Sequence, residues 1–280
     1  MPTDCAPFEI AYDDEPTRVL RGVVERPAGA ADEPLPWVLV LHGFKGFMDW
    51  GFFPLLSRGI AESGMVSVRF NTSGSGVGAD FVDFSDLAAF EKDTYGRQLE
   101  DIERVRALVV SGALTTVDPG RAGLLGHSRG GGLGLLHAAE HAYAAIVTWA
   151  AIDDVQRFDA ATLERWRADG HLDIPNLRTG QTMRLGLDCL HEYEADPARF
   201  DILAACARVQ APTLVVHGTK DESVPHDAAV RLRAALASAT LLSMEGTGHT
   251  FGATHPLTEV SRPLERVLSH SLEHLACYLE

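Results

Sequence analysis

Cysteine is scarce in this chain, and its spacing is wrong for the usual structural roles. Cys5, Cys189, Cys206 and Cys277 are scattered through 280 residues with no Cys-x-x-Cys pair. Neither zinc nor a disulfide framework is implied. Basic residues are also short, 24 against 39 acidic ones, for a formal net charge of −15. A duplex-binding protein needs a basic surface to displace counterions, so nucleic acid is discounted as a partner. Anionic membrane surfaces are discounted on the same ground, and the acid excess reads as a solubility feature. No apolar run approaches the roughly 18–20 residues needed to span a bilayer. Met1 to Ile10 carries two acids and no apolar stretch, unlike a secretory leader. There is no internal repeat and no low-complexity tract. A soluble, cytoplasmic protein is the expectation.

What is present looks like an ordinary globular protein. Apolar residues make up 46% and charged residues 22% of the chain, and 280 residues suit one large α/β unit. Phe8–Tyr12 and Val19–Arg26 read as short strands, followed by a polar, Pro-rich loop at 27–36. Trp37-Val-Leu-Val-Leu41 is an apolar run without alternation, the mark of a strand buried on both faces. Helix and strand then alternate: helix 52–63, strand 65–70, helix 93–110, strand 122–125, helix 129–141, strand 145–149. Later come strand 213–216, helix 226–237, strand 240–244 and helix 262–278. This rhythm predicts a doubly wound, mostly parallel α/β sheet. Residues 152–205 break it, holding short helical patterns and no convincing strand. The expected organisation is a core of residues 1–151 and 206–280 with a small helical cap insertion, 152–205, over the C-terminal edge of the sheet.

Gly126-His-Ser-Arg-Gly130 fits Gly-x-Ser-x-Gly. A buried strand precedes it and a small-residue helix follows, which is the setting a nucleophile elbow requires. The serine sits on a strained turn, its flanking glycines remove a clash between residues four apart, and the helix N-terminus favours a developing negative charge. Ser128 is therefore the candidate nucleophile. Such a serine needs a histidine to take its proton and a carboxylate to orient that histidine, following it in the order Ser, acid, His. His249, in the Gly-Thr-Gly-His loop after strand 240–244, is the candidate base. His255 is read as lining the entrance, His226 as opening a helix, and His270 and His274 as a solvated helix face rather than a metal pair. Asp221, in the loop after Thr213-Leu-Val-Val-His-Gly218, is preferred as the acid over Glu222 and Asp227.

Oxyanion donors are expected from the backbone N–H of Arg129 and of Phe44, the latter in His42-Gly-Phe-Lys-Gly46. His42 is read as fixing that loop by hydrogen bonding, and Lys45 as exposed beside Trp50. One further motif, Gly74-x-Gly76-x-x-Ala79 after a strand, suggests a dinucleotide site. Asp80, Asp83 and Asp86 follow where phosphate would bind, and they argue against it.

Together His-Gly-Phe, Gly-x-Ser-x-Gly, strand-Gly-x-x-Asp and Gly-His resemble the α/β-hydrolase superfamily over nearly the whole chain. The loop Phe70-Asn-Thr-Ser-Gly-Ser-Gly76 and the insertion resemble bacterial serine esterases near the dienelactone hydrolases and feruloyl (cinnamoyl) esterases. Dienelactone hydrolases proper use cysteine where this chain has Ser128. The resemblance implies a serine carboxylic-ester hydrolase acting on a small-molecule ester through an acyl-enzyme, with no metal or organic cofactor. The alternatives are a small peptidase or amidase of the prolyl-oligopeptidase type, set second because such enzymes carry a large extra domain, and a non-catalytic hydrolase-fold binding protein.

Overall fold

A computed structural model describes residues 2–30, 33–176 and 179–280. Two residues of the loop at 27–36 and two of the segment 152–205 lie outside the described residues.

The fully apolar runs became the middle of a sheet. Its strands are β1 (Thr3–Ala11), β2 (Val19–Pro27), β3 (Leu35–Leu41), β4 (Val66–Asn71), β5 (Val117–His127) and β6 (Ala145–Trp149). Two more come from the C-terminal part, β9 (Thr213–Gly218) and β10 (Ala239–Met244). They lie in the order β1-β2-β4-β3-β5-β6-β9-β10. β1 and β2 pair antiparallel, as do β2 and β4, and every other pairing is parallel. The expected α/β class is what the structure shows.

Alternate residues of the central strands feed two separate cores, as the two-residue strand period requires. Leu39, Ile146 and Val215 join one core, packed under helices α3 (Tyr95–Val110), α4 (Arg129–Ala138) and α8 (Asp227–Ala235). Val38, Val147 and Val216 join the other, under α1 (Phe53–Glu62) and α9 (Arg262–Leu279).

Two strands depart from the sequence reading. β5 begins five residues earlier than expected, because Val117 pairs with Leu35 ahead of a register shift that absorbs Asp118 to Arg121. The segment 152–205 holds a hairpin where no strand was expected. β7 (His171–Asn176) and β8 (Gln181–Gly186) pair antiparallel among the helices α5 (Ala160–Asp169), α6 (Leu187–Ala195) and α7 (Ile202–Cys206). Its alternation is faint because only one face is covered. Ile174, Met183 and Leu185 are buried, while Asp173 and Arg184 are exposed and Pro175 interrupts the pattern. A short helix α2 (Leu87–Glu91), also not anticipated, packs against β8.

The chain changes winding direction at β3. It runs from β3 to β4 on one side, and β5 lies on the other. The loops leaving β3 and β5 therefore emerge side by side at their C-terminal ends, the crevice where doubly wound sheets place ligands.

Candidate active site

β3 and β5 end in register, Leu41 opposite Gly126, so His42-Gly-Phe44 and His127-Ser128 leave the sheet together. Ser128 has φ 55° and ψ −119° and forms the N-cap of α4. That is a backbone conformation a side chain rarely adopts, and neighbouring hydrogen bonds hold it there. Ser128 N–H donates to the Trp149 carbonyl of β6 at 2.8 Å. Its own carbonyl accepts from Gly131, Gly132 and Ile152. The glycines do what the turn demands. A Cβ on Gly126 would meet the Gly130 carbonyl oxygen at 2.4 Å, and one on Gly130 would meet the His42 oxygen at 2.4 Å.

Asp221 and His249 come from the loops after β9 and β10, strands that pair from Thr213–Ala239 to Gly218–Met244. Asp221 Oδ2 lies 2.7 Å from His249 Nδ1. The competing acids Glu222 and Asp227 are exposed, whereas Asp221 is buried. Asp221 Oδ1 accepts from the Ser223 and Val224 N–H groups at 2.8 and 2.9 Å. Burial alone would raise its pKa. Hydrogen bonds from His217 and His249, the His249 charge and the Val224 N–H outweigh burial and hold the carboxyl well below the usual range. His217 was not singled out in the sequence. It is the histidine of Val-Val-His217-Gly, fully buried, with Nε2 3.3 Å from Asp221 Oδ2 and 2.8 Å from the Val224 carbonyl.

Two cavities meet at Ser128. One of about 220 Å³ is lined by Ser128, His249, Phe44, Lys45, Trp50 and Asn176, among others. The second, about 250 Å³, is lined by Ser128, Phe44, Arg129, Ile152, Val155 and Phe158, among others. Asn176 comes from β7, so the hairpin supplies part of the first wall. Lys45 is exposed, as expected, and its Nζ donates to the Pro175 carbonyl at 3.1 Å, tying the β3 loop to the hairpin.

The β3 loop is also fixed from below. His42 Nε2 accepts from Thr72 N–H at 3.2 Å, which leaves Nδ1 to donate to the Gly43 carbonyl at 2.9 Å. Burial pushes its pKa down to about 4, so the ring is neutral, and its expected role in fixing the loop holds. His127 Nε2 reaches the His249 carbonyl at 3.1 Å, and burial lowers its pKa to about 3. Of the remaining histidines, His226 precedes α8 without capping it through its side chain, and its Nε2 lies 2.8 Å from Ser243 Oγ. His255 accepts from Gly51 N–H at 3.0 Å and packs on Phe47, so it supports the loop rather than lining either cavity. His274 reaches the Pro212 carbonyl at 3.1 Å, so half of the supposedly solvated pair is a packing contact.

The side chain of Arg129 carries a feature that sequence reading missed. Its guanidinium lies 3.8 Å from the centre of the Phe44 ring, 5.2 Å from that of Tyr95 and 3.8 Å from Asp93 Oδ2. The two residues expected to offer oxyanion N–H groups are thereby packed against each other. Asp93 is buried, and burial raises its carboxyl to about 7 against the pull of Arg129 and Gln98. Gly74 packs against Asp93, and no helix begins at Gly76–Ala79, so the loop after β4 lacks the geometry of a dinucleotide site.

Three comparisons bear on this arrangement. The chain is 34% identical over 123 residues to a non-heme chloroperoxidase of Streptomyces lividans, covering 37% of this chain and 44% of that protein. It is 26% identical over 286 residues to the uncharacterized peptidase YuxL of Bacillus subtilis, covering 96% of this chain and 39% of YuxL. The chain thus spans about two fifths of the length of these curated relatives. Among solved structures, Est1E of Butyrivibrio proteoclasticus superposes with a TM-score of 0.68 at 18% identity, over 96% of this chain and 99% of that one. The likeness to Est1E is one of fold. The model of the prolyl oligopeptidase family matches residues 50–276, which include the elbow and the loops of Asp221 and His249. This α/β-hydrolase chain belongs to the prolyl oligopeptidase family.

Proposed function

We propose that the chain is a serine hydrolase that cleaves carboxylic esters through an acyl-enzyme on Ser128. The observation that carries this reading is the pair of buried Asp221 and partly exposed His249, which lines a cavity with the strained Ser128 at the junction of two cavities. In this reading His249 Nε2 takes the Ser128 hydroxyl proton as Oγ attacks the ester carbonyl. The tetrahedral oxygen is held by the Phe44 and Arg129 N–H groups. The proton passes to the departing alcohol, and water activated by the same nitrogen releases the acid. Asp221 keeps His249 in the tautomer whose Nε2 is free to act. Two compact cavities suit the two halves of a small ester, and Ile152, Val155 and Phe158 give the second an apolar wall.

A second reading, a small peptidase or amidase, is favoured by the family membership and by the name of YuxL. A panel of esters varied in acyl length and aromaticity, run beside matched small amides, separates the two. Ester turnover without amide turnover supports the first reading; the reverse supports the second. Ser128→Ala is expected to abolish both turnover and fluorophosphonate labelling. His249→Ala is expected to cost roughly 10⁶-fold in kcat, and Asp221→Asn roughly 10⁴-fold. Labelling that persists in Ser128→Ala removes the assignment altogether.

A further inference from the structure

A second constellation lies at the other end of α4. His137 sits in the last turn of that helix, and the His141 N–H closes a further turn onto the His137 carbonyl at 3.0 Å. Glu103 faces them from α3. His137 Nε2 is 3.1 Å and His141 Nε2 is 3.4 Å from Glu103 Oε2. The two imidazoles are stacked, with centroids 4.1 Å apart. One ligand atom from each of the three residues lies within 4.8 Å of the other two, the one such group of three or more among the described residues.

The geometry points to a divalent transition-metal site formed by Glu103, His137 and His141, with zinc as the ion best suited to the donors, clamping α3 to the C-terminal end of α4. With bonds of roughly 2.0–2.1 Å, donors around a tetrahedral zinc sit about 3.3–3.4 Å apart. Both measured separations from Glu103 are already close to that. Two imidazoles and one carboxylate suit zinc and its neighbours better than calcium or magnesium. Ligation through Nε2 needs the His137 proton on Nδ1, and Tyr143 Oη lies 3.0 Å from that nitrogen, placed to accept it. The carbonyls ending α4 favour a cation. A cavity of about 430 Å³ is lined by Glu103, His137 and His141 and gives an ion a path in and room for a fourth ligand. Against the ion stands Arg106, whose Nη1 is 3.7 Å from Glu103 Oε2. Arg199 and Arg208 line the same cavity, Arg208 already paired with Glu140 at 2.9 Å, and Glu100 and Glu140 supply the carboxylates that balance them.

Ser128 caps the opposite end of α4, about 14 Å away along the axis at 1.5 Å per residue, so the ion would take no part in chemistry at the serine. The sequence suggested no metal because the third ligand comes from another helix. His137 and His141 alone are only an i, i+4 pair.

The test is zinc titration of the chelator-stripped full chain against a chromophoric competitor, with thermal unfolding alongside. Active-site histidines can also take up zinc, so the comparison is with His141→Asn and Glu103→Gln. Both residues are partly exposed, which leaves the buried His137 in place. The wild type is expected to bind one more equivalent than either variant. Its Tm is expected to rise by roughly 5–10 °C at a hundredfold excess over Kd, with X-ray absorption showing two imidazole ligands. Equal stoichiometry in all three proteins, or an absorption spectrum without paired imidazoles, overturns the site. If one variant fails to fold, the other decides the comparison.

Discussion

At the scale of single residues, Arg129 joins the proposed oxyanion loop to a buried acid. Its N–H is a proposed oxyanion donor, while its guanidinium packs on Phe44 and faces the buried Asp93. Removing one partner of a buried ion pair leaves the other charge uncompensated, at a cost of about 3–5 kcal/mol. Replacing both with apolar groups of similar size avoids that cost. Arg129→Met is therefore expected to destabilise the protein strongly in urea unfolding at pH 8, where Asp93 is ionised. Adding Asp93→Leu should restore most of the loss. A single variant as stable as wild type would mean that the pair contributes little. On the catalytic side, Arg129→Met frees the Phe44 loop, so kcat is expected to fall with KM little changed.

At the scale of elements, the turn between β5 and α4 is set by backbone contacts alone. The atoms that a Cβ on Gly126 would meet belong to Gly130 and Gly131 and cannot rotate away. Gly126→Ala is expected to lower Tm by roughly 5–10 °C, as overpacking against fixed neighbours does. Gly120→Ala is the control, since its nearest contact is 3.4 Å, to a flexible aspartate. A Gly126 variant that melts with the control refutes the account. This turn was legible in the sequence because everything that makes it is local: a doubly buried strand, glycines four residues apart and a small-residue helix. The candidates Ser128, Asp221 and His249 could be named in order because each follows a strand end. The hairpin β7–β8 was not legible, because its covered face is narrow and Pro175 interrupts it. The packing of Arg129 on Phe44 and Asp93, and the place of His217 beside Asp221, were also hidden. Those contacts join segments far apart in the chain, and no spacing announces them.

At the scale of the whole molecule, buried titrating groups set the response to acid. Burial lowers His42 to about 4, and His127 and His137 to about 3. Such rings take up a proton only in the unfolded chain. Their contribution is intact above the ordinary histidine value near 6.5 and is lost as pH falls toward the folded values. Asp93 acts in the opposite sense. With its folded pKa raised to about 7, it favours the folded state more as pH falls from 7 toward 4. Burial also lowers His274 and raises Asp101, shifts that oppose each other, so the balance stays at a net uptake of about two protons on unfolding, or roughly 2–3 kcal/mol lost per pH unit between pH 6 and 4.5. Asp221, held below the carboxylate range, adds a further loss beneath that window. Urea midpoints at pH 7, 6 and 5 should decline in step; a flat series contradicts this count. Charge and apolar content also sort at this scale, and no helix among the described residues is long and apolar enough to cross a membrane.

Helix α4 has four glycines in ten residues, and all ten are buried. Each glycine costs a helix about 1 kcal/mol relative to alanine, so this segment has almost no tendency to coil on its own. Its shape is imposed by what surrounds it. An element of that kind has no partly opened form to visit, because loosening its wrapping removes its only reason to be helical. Its amide protons should therefore exchange with solvent at the slowest rate in the molecule, through global unfolding alone. The same dependence keeps Ser128 in place: the serine is held as rigidly as the least autonomous helix in the fold.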